Sequence, residues 1–179
     1  VAFASSSSIY GNAESYPTPE EMAPAPISPY GVTKLASEQL AEAYCQSRDL
    51  DVVVLRYFTV YGPRQRPDMA FSKIIRALLD ARPFHVFGTG EQTRDVTYVL
   101  DAVSATLLAA EKAPCGAVYN VGGGTETSLL KVVEALERES GKLLELRFEP
   151  DAPGDVRRTA ADTSRIRSEL GWSPTTSLE

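Results

Sequence analysis

Two hydrophobic periods alternate along the chain, and their order predicts its elements. Val1-Ala2-Phe3-Ala4 reads as a short buried strand. It runs into Ser5-Ser6-Ser7-Ser8 and then Ile9-Tyr10-Gly11. Apolar flanks on both sides make the serine run a strand end entering a loop rather than a flexible linker. Residues 12–28, rich in proline and glutamate, predict an exposed connection. Pro29 suits the first turn of a helix, where its missing N–H would have no partner anyway. That helix extends to about Ser47, with Val32, Ala36, Leu40 and Ala43 on one apolar stripe. The β-branched run Asp51-Val52-Val53-Val54-Leu55-Arg56-Tyr57-Phe58 suits a strand buried on both faces. Strand, helix, strand in this order predicts a parallel pair with a crossover helix, and so an α/β domain.

Helical spacing resumes at residues 70–81, with Phe71, Ile74, Ile75 and Leu78 on one face. Strands are predicted at 84–87, 96–99, 118–121 and 144–148. A helix fills 100–112, and another starts at a Thr127 or Ser128 cap, reaches Ser140 and ends at Gly141. A charged loop at 151–159 precedes a short helix at 163–170 and Gly171-Trp172. No internal repeat is present. Because the first residues read as a strand with nothing before it to pair with, the chain is expected to be a piece of a longer sheet.

Composition adds bounds. The 179 residues are 43% hydrophobic and 23% charged with a net charge of −6, ordinary for a soluble globular chain with one good core and a small second lobe. The acidic balance argues against general binding to nucleic acid or to a membrane surface. No apolar run approaches about 18 residues, and no signal sequence is visible, so cytoplasm is the default expectation. Cys45 and Cys115 read as isolated, and no Cys/His spacing predicts a metal site. The single histidine, His85, lies in a strand-like run and reads as structural or surface.

Candidate chemistry centres on Tyr30 and Lys34. One helical turn apart, they face the same way. A phenol normally deprotonates near pH 10 (about), and an ammonium beside it favours the phenolate. The pair is thus a candidate general base, although the spacing alone arises by chance. Its neighbours strengthen it. Ligands of parallel sheets bind beyond the carboxyl ends of the strands. The serine run and Thr59-Val60-Tyr61-Gly62-Pro63 both follow predicted strands, on the rim expected to hold Tyr30. The other glycine-rich stretch, Gly122-Gly123-Gly124, lacks the third glycine of a dinucleotide fingerprint and reads as a strand-to-helix turn.

Seven ordered blocks carry a resemblance across nearly the whole chain. They are Ser5-Ser6-Ser7-Ser8-Ile9-Tyr10-Gly11, Ser28-Pro29-Tyr30-Gly31-Val32-Thr33-Lys34, Leu55-Arg56-Tyr57-Phe58-Thr59-Val60-Tyr61-Gly62-Pro63, Gly88-Thr89-Gly90-Glu91-Gln92-Thr93-Arg94-Asp95, Tyr119-Asn120-Val121-Gly122, Pro153-Gly154-Asp155 and Leu170-Gly171-Trp172. Together they resemble the extended short-chain dehydrogenase/reductases, specifically the NAD-dependent nucleotide-sugar epimerases. The resemblance implies an α/β fold comprising the C-terminal portion of a Rossmann-like parallel sheet domain plus a small α/β substrate-binding lobe. Residues 1–62 would belong to the first and 63–179 mainly to the second, with segments around 96–125 returning to the Rossmann domain. It also implies a homodimer for the full-length protein.

Roles follow by position. Ser6, Tyr30 and Lys34 match the catalytic residues: Ser6 bonds the sugar's 4-hydroxyl, Tyr30 takes its proton, and Lys34 binds the nicotinamide ribose and depresses the tyrosine pKa. Ala4, Ser5, Tyr57, Phe58 and Val60, with Tyr30 and Lys34, would form the NAD side of the cleft. Arg94 matches the arginine that pairs with the nucleotide diphosphate, and Asp155 the carboxylate that meets the uridine ribose. Arg157 and Arg158 match more loosely, with Arg158 assigned to substrate. The implied reaction is transient oxidation at C4, rotation of the 4-keto sugar and return of hydride to its other face.

Two details narrow the substrate. Dehydratases of this superfamily carry an Asp-Glu pair after the catalytic Ser/Thr, whereas Ser7 and Ser8 stand here, which favours epimerisation. Thr59 and Arg66, helped by Ser7, resemble the carboxylate-holding residues of UDP-glucuronate 4-epimerases, and a cation with hydroxyl donors suits a carboxylate. UDP-glucuronate is therefore the favoured UDP-sugar. A neutral sugar such as UDP-glucose, or a related dehydratase reaction, is the alternative, and a truncated non-catalytic fragment is another. The family's Gly-x-x-Gly-x-x-Gly segment is absent from these 179 residues, so they are expected to bind NAD weakly or not at all by themselves.

Overall fold

Arg56 lies near the end of the most buried strand, and the layout of the chain follows from where its neighbours go. The computed structural model describes residues 1–47, 50–152 and 154–178. Pro153, one of the residues carrying the resemblance, lies outside the described residues. The elements begin with β1 (Ala2–Ser6), a 3₁₀ turn (Ser7–Tyr10), α1 (Pro29–Ser47), β2 (Val53–Tyr57) and β3 (Thr59–Tyr61). They continue with α2 (Ala70–Leu79), β4 (Phe84–Phe87), β5 (Thr93–Tyr98) and α3 (Val99–Lys112). The last are β6 (Val118–Val121), β7 (Glu126–Ser128), α4 (Leu129–Ser140), β8 (Leu146–Glu149) and α5 (Ser164–Leu170).

Three parallel strands in the order β1-β2-β6 make the Rossmann-like sheet, with Ala4 opposite Leu55 and Leu55 opposite Tyr119. The smaller sheets are β3-β5-β7, mixed in direction, and the parallel pair β4-β8. The fold is thus α/β, as predicted. On one face of the large sheet α3 and α5 pack over Leu55, Tyr119 and Val121. Ala105 and Ala109, small and fully buried, let α3 come close. Trp172 closes this core and donates from Nε1 to the Ser104 hydroxyl at 2.9 Å. A second core lies between α2 and α4, built on Ile74, Leu78, Val132 and Val133. Ser128 caps α4 by accepting from the Lys131 N–H at 3.2 Å, and Gly141 ends it at φ 66°.

Three elements depart from expectation. Residues 59–61 and 126–128 form short strands that neither period announces, and the serine run closes into a 3₁₀ turn. Gly122-Gly123-Gly124 leads into β7 before any helix. A side chain at Gly123 would collide with the Val96 carbonyl, so close backbone approach, not phosphate binding, explains this glycine. Cys45 and Cys115 are not isolated: they join as a disulfide across 70 residues, with Cα atoms 6.5 Å apart.

Helix α1 is the larger correction. Its apolar stripe faces outward, with Val32 52% and Leu40 59% exposed, while Gly31 and Glu38 are buried. Gly31 packs on the 3₁₀ turn, where a Cβ would stand 2.5 Å from the Ser8 carbonyl oxygen. Glu38 meets Arg56. The guanidinium donates from Nε and Nη2 to the Glu38 carboxylate at 2.8–3.2 Å, and from Nη1 to the Tyr10 hydroxyl and the Glu20 carbonyl at 2.8 Å. Ser5 donates its hydroxyl to the same carboxylate. Tyr10 passes its proton donation on to Asn120 Oδ1 at 2.8 Å, and burial pushes its phenol up to about 12, so it stays a neutral link. One charged pair therefore ties α1, β1, β2, β6 and the 3₁₀ turn together.

Breaking this pair from one side leaves a buried charge alone, which typically costs about 3–5 kcal/mol. Urea unfolding followed by the fluorescence of Trp172 should show a loss of that order for Glu38→Ala. The double change Glu38→Leu/Arg56→Met should recover most of it. A loss below about 1 kcal/mol in the single variant would show the network to be solvated.

Candidate active site

The rim is set by register. Ser6, the last residue of β1, stands opposite Tyr57, the last of β2, so both strands open at one edge. Ser6 is fixed by its own turn: its hydroxyl accepts from the Ser8 N–H at 3.2 Å and donates to the Ser8 hydroxyl at 3.1 Å. Helix α1 begins beside it, where the Ser28 hydroxyl accepts from the Gly31 N–H at 3.1 Å. Tyr30, in the first turn, is half exposed. Lys34 reaches back and donates its ammonium to the Ala4 carbonyl at 2.8 Å. There it lies 5.6 Å from the centre of the Tyr30 ring and 5.5 Å from that of Phe3. Strand backbone, ammonium and phenol are thus gathered at one place, as a tyrosine base requires.

Beyond this rim opens a cavity of about 780 Å³ between the second core, residues 67–69, and Ala152 and Asp155. Thr59 lines it from β3 and Arg94 from β5. Arg94 donates from Nη2 to Asp155 at 2.5 Å, joining residues 61 apart in sequence. Lys73 and Arg76 of α2 also face the cavity and make no ion pair among the described residues. Phe84 and His85 form part of its wall, with His85 Nδ1 2.9 Å from a Glu149 carboxylate oxygen. Cations over an aromatic wall fit an anionic nucleotide.

Other predicted residues stand apart. Ser5 turns inward to Glu38, not toward the cleft. Tyr57 directs its hydroxyl to Thr106 of α3 at 2.5 Å, whereas Phe58 is buried with Ile9 and Tyr10. Val60 offers its carbonyl to the Gln65 side chain at 2.8 Å, and Ser7 occupies the first position of the 3₁₀ turn. Arg66 is exposed and paired with Asp68, and it is not among the residues lining the cavity. Arg158 is taken by Glu126 through two bonds of 2.7 Å and stacks 4.5 Å above the Tyr16 ring.

Glu38, Lys73 and Arg76 were not singled out by sequence reasoning. Glu38 had a signal: it follows Lys34 by one turn and Tyr30 by two, on the same helix face. Asp95 is a further case. Its carboxylate accepts from the N–H groups of Gly123 at 2.8 Å, Gly124 at 3.2 Å and Ala161 at 2.9 Å, fixing the turn after β6 beneath Arg94. Burial pushes its carboxyl up from 3.8 to about 6, against those three donors.

For a dinucleotide such as NAD, these residues fit one end only. Lys34 and Tyr30 at the strand ends suit the nicotinamide ribose, while no glycine-rich strand-to-helix segment for the diphosphate occurs in the sequence.

Comparison with known proteins agrees with this geometry. The family model described as GDP-mannose 4,6-dehydratase matches residues 1–179. The chain is 43% identical over 178 residues to the uncharacterised UDP-glucose epimerase YtcB of Bacillus subtilis, covering 99% of this chain and 56% of that protein. It is 38% identical over 182 residues to the UDP-glucuronate 4-epimerase of Thermodesulfobacterium geofontis, covering 100% and 55%. Among solved structures, the UDP-glucuronic acid 4-epimerase of Bacillus cereus in complex with UDP-glucuronic acid and NAD superposes with a TM-score of 0.95 at 44% identity, over 99% of this chain and 57% of that one. The chain spans little more than half the length of the curated relatives it matches. Among the described residues no helix is long and apolar enough to cross a membrane.

Asp95 gives a pH signature. Between pH 3.8 and about 6 the folded chain holds a proton that the unfolded chain has released. Its contribution therefore favours the folded state at the acid end and is lost as pH rises through that window, by up to about 3 kcal/mol. Asp95→Asn keeps one acceptor oxygen and has no such slope. In urea unfolding at intervals from pH 4 to 6 (about), the stability gap between the native chain and the variant should narrow as pH rises. A widening gap would mean that the three N–H donors keep Asp95 charged throughout.

Proposed function

The chain belongs to the GDP-mannose 4,6-dehydratase family of NAD-dependent nucleotide-sugar epimerases and dehydratases, and from that premise we propose that it carries the catalytic and substrate-binding part of a UDP-glucuronate 4-epimerase. The observation that carries this reading is Lys34, held by the Ala4 carbonyl beside the Tyr30 ring at the open end of the parallel strands. Residues 1–62 form the Rossmann part and 63–179 mainly the substrate lobe, with segments around 96–125 returning to the Rossmann part, a reading supported by the pairing of β6 with β2.

In this reading Tyr30 takes the proton of the sugar's 4-hydroxyl, with Lys34 stabilising the phenolate. Ser6, already oriented by Ser8, holds the 4-hydroxyl oxygen in place. When bound, NAD supplies the redox chemistry, taking hydride from C4 and returning it. Arg94 receives the diphosphate and Asp155 the uridine ribose, with Lys73 and Arg76 adding positive charge along the cavity. Arg158 joins the substrate contacts only if it leaves Glu126. Ser7 and Ser8 offer no acid for elimination, so protonation returns to the oxygen from which Tyr30 took it.

The uronate is favoured by the resemblance of Arg66, Thr59 and Ser7 to a carboxylate-holding set, a cation with two hydroxyl donors. A neutral hexose is the second reading, and one observation favours it: the Arg66 guanidinium is filled by Asp68. We also infer a homodimer for the whole protein, since Val32, Leu40 and Tyr44 are exposed along α1.

Full-length protein supplied with NAD should convert UDP-glucuronate to its C4 epimer faster than it converts UDP-glucose. Tyr30→Phe should lower kcat by about 10²–10⁴ while UDP-sugar binding persists. Turnover of UDP-glucose alone would sink the uronate assignment, and no turnover of either sugar would sink the epimerase. Calorimetry of residues 1–179 with NAD should show no binding at micromolar concentrations.

A further inference from the structure

Beyond Glu38, helix α1 has little to hold it down. Gly31 and Glu38 are its buried residues, and residues 39–47 are all half-buried or exposed. Among the described residues their side-chain hydrogen bonds stay within the helix, Gln46 to Glu42 at 3.2 Å and Ser47 to the Ala43 carbonyl at 2.6 Å. Beneath them, Ala41 and Glu42 face Val52, Val54 and Val118 across a cavity of about 260 Å³. So short a stretch of helix, without a packed face, is marginal in water. One covalent tie crosses the gap. Cys45, half-buried in the last turn of α1, is bonded to Cys115, exposed in the turn before β6, with Cα atoms 6.5 Å apart.

We propose that the Cys45–Cys115 bridge is a thiol-exchange site, opened by a small-molecule thiol at the exposed Cys115, and that it is the strap keeping residues 39–47 of α1 on the sheet. Opening it lets the last turns of α1 fray over the cavity, whereas the turns carrying Tyr30 and Lys34 stay in place. The device is independent of which sugar the site takes.

Both states of the bridge are housed. The turn carrying Cys115 keeps its shape through backbone bonds: Gly116 donates to the Val52 carbonyl at 2.7 Å, Ala117 to that of Pro114 at 3.2 Å, and Ala113 to that of Ala109 at 3.0 Å. A reduced Cys115 has an acceptor at hand, since its sulfur lies 3.5 Å from the Leu50 carbonyl oxygen. The first half of α1 is anchored without sulfur, by Lys34 on the Ala4 carbonyl and Glu38 on Arg56. In the exchange a thiolate attacks Cys115 Sγ, and a mixed disulfide forms there as the Cys45–Cys115 bond breaks. Cys45 leaves as a thiolate and takes a proton from water. A second thiol attacks the mixed disulfide, freeing Cys115 and releasing the small molecule's own disulfide, so the thiols supply the two electrons that the bridge gains. Access directs the first attack to Cys115, the more exposed sulfur.

Peptide mapping and hydrogen exchange of the full-length protein test this. Air-oxidised protein digested with trypsin without reductant should yield residues 35–48 joined to residues 113–131. Brief incubation with reduced glutathione should add its mass to the 113–131 peptide before the 35–48 peptide. In the fully reduced protein the amides of residues 39–47 should exchange at least about tenfold faster, with a smaller rise over 29–38. Cys45→Ser should show that exchange pattern with no thiol added. Unjoined peptides from the oxidised protein, or glutathione on 35–48 first, overturn the inference. So does exchange that is unchanged at 39–47 or rises equally along α1, in the reduced protein or in Cys45→Ser.

Discussion

Arg56 is carried into the interior on the central strand, and a guanidinium does not give up its proton there. The chain must bring a carboxylate to it, and it brings Glu38, from the middle of α1. This single electrostatic demand fixes how α1 rolls on the sheet. With Glu38 inward, Lys34 and Tyr30, one and two turns earlier, come to the ends of β1 and β2. The aliphatic stripe is left facing out. Ser5 and Tyr10 then lock onto the same pair, so the strand that ends in Ser6 is held to the helix that begins with Tyr30. The geometry of the rim is inherited from a salt bridge buried behind it.

A comparable division of labour appears on β5. Successive strand residues point to opposite sides. Arg94 turns to the cavity and Asp155, while Asp95 turns inward and gathers the N–H groups of Gly123, Gly124 and Ala161. The inward carboxylate holds the turn after β6 and the start of the C-terminal segment in register with the outward arginine. On both α1 and β5, a buried acid shares its element with a half-buried cation at the rim or cavity.

The architecture was legible wherever period and punctuation agreed. The run 51–58 reads as a buried strand and holds one at Val53–Tyr57, and Ser128 and Gly141 bound α4 as their residue types require. The orientation of α1 was not legible, because periodicity shows that a helix has an apolar stripe without showing what covers it. Glu38 is buried by a partner that lies 18 residues on, a distance no local pattern spans. The same limit hid β3 and β7, three residues each, whose pairing is decided by β5. Motifs named Tyr30 with Lys34 and Arg94 with Asp155, pairs that the fold brings together. Lys73 and Arg76 went unnamed, since a cation on an amphipathic helix reads as solvated until the fold puts a cavity in front of it. Arg66 and Arg158 show the converse: sequence names a charged residue, and only the fold says which opposite charge holds it.

The Cys45–Cys115 bridge closes a loop of 70 residues, running from the end of α1, through β2 and the α2 segment, to the start of β6. In chain-statistical terms such a closure withholds about 4 kcal/mol of configurational entropy from the unfolded ensemble. It does so at the base of the sheet, where the strands begin, away from the edge where Tyr30 and Lys34 meet. Reduction would release that entropy to the unfolded chain and leave every polar contact at the reactive edge in place. The bridge thus adds to the persistence of the fold from the end of the sheet opposite the Tyr30–Lys34 edge.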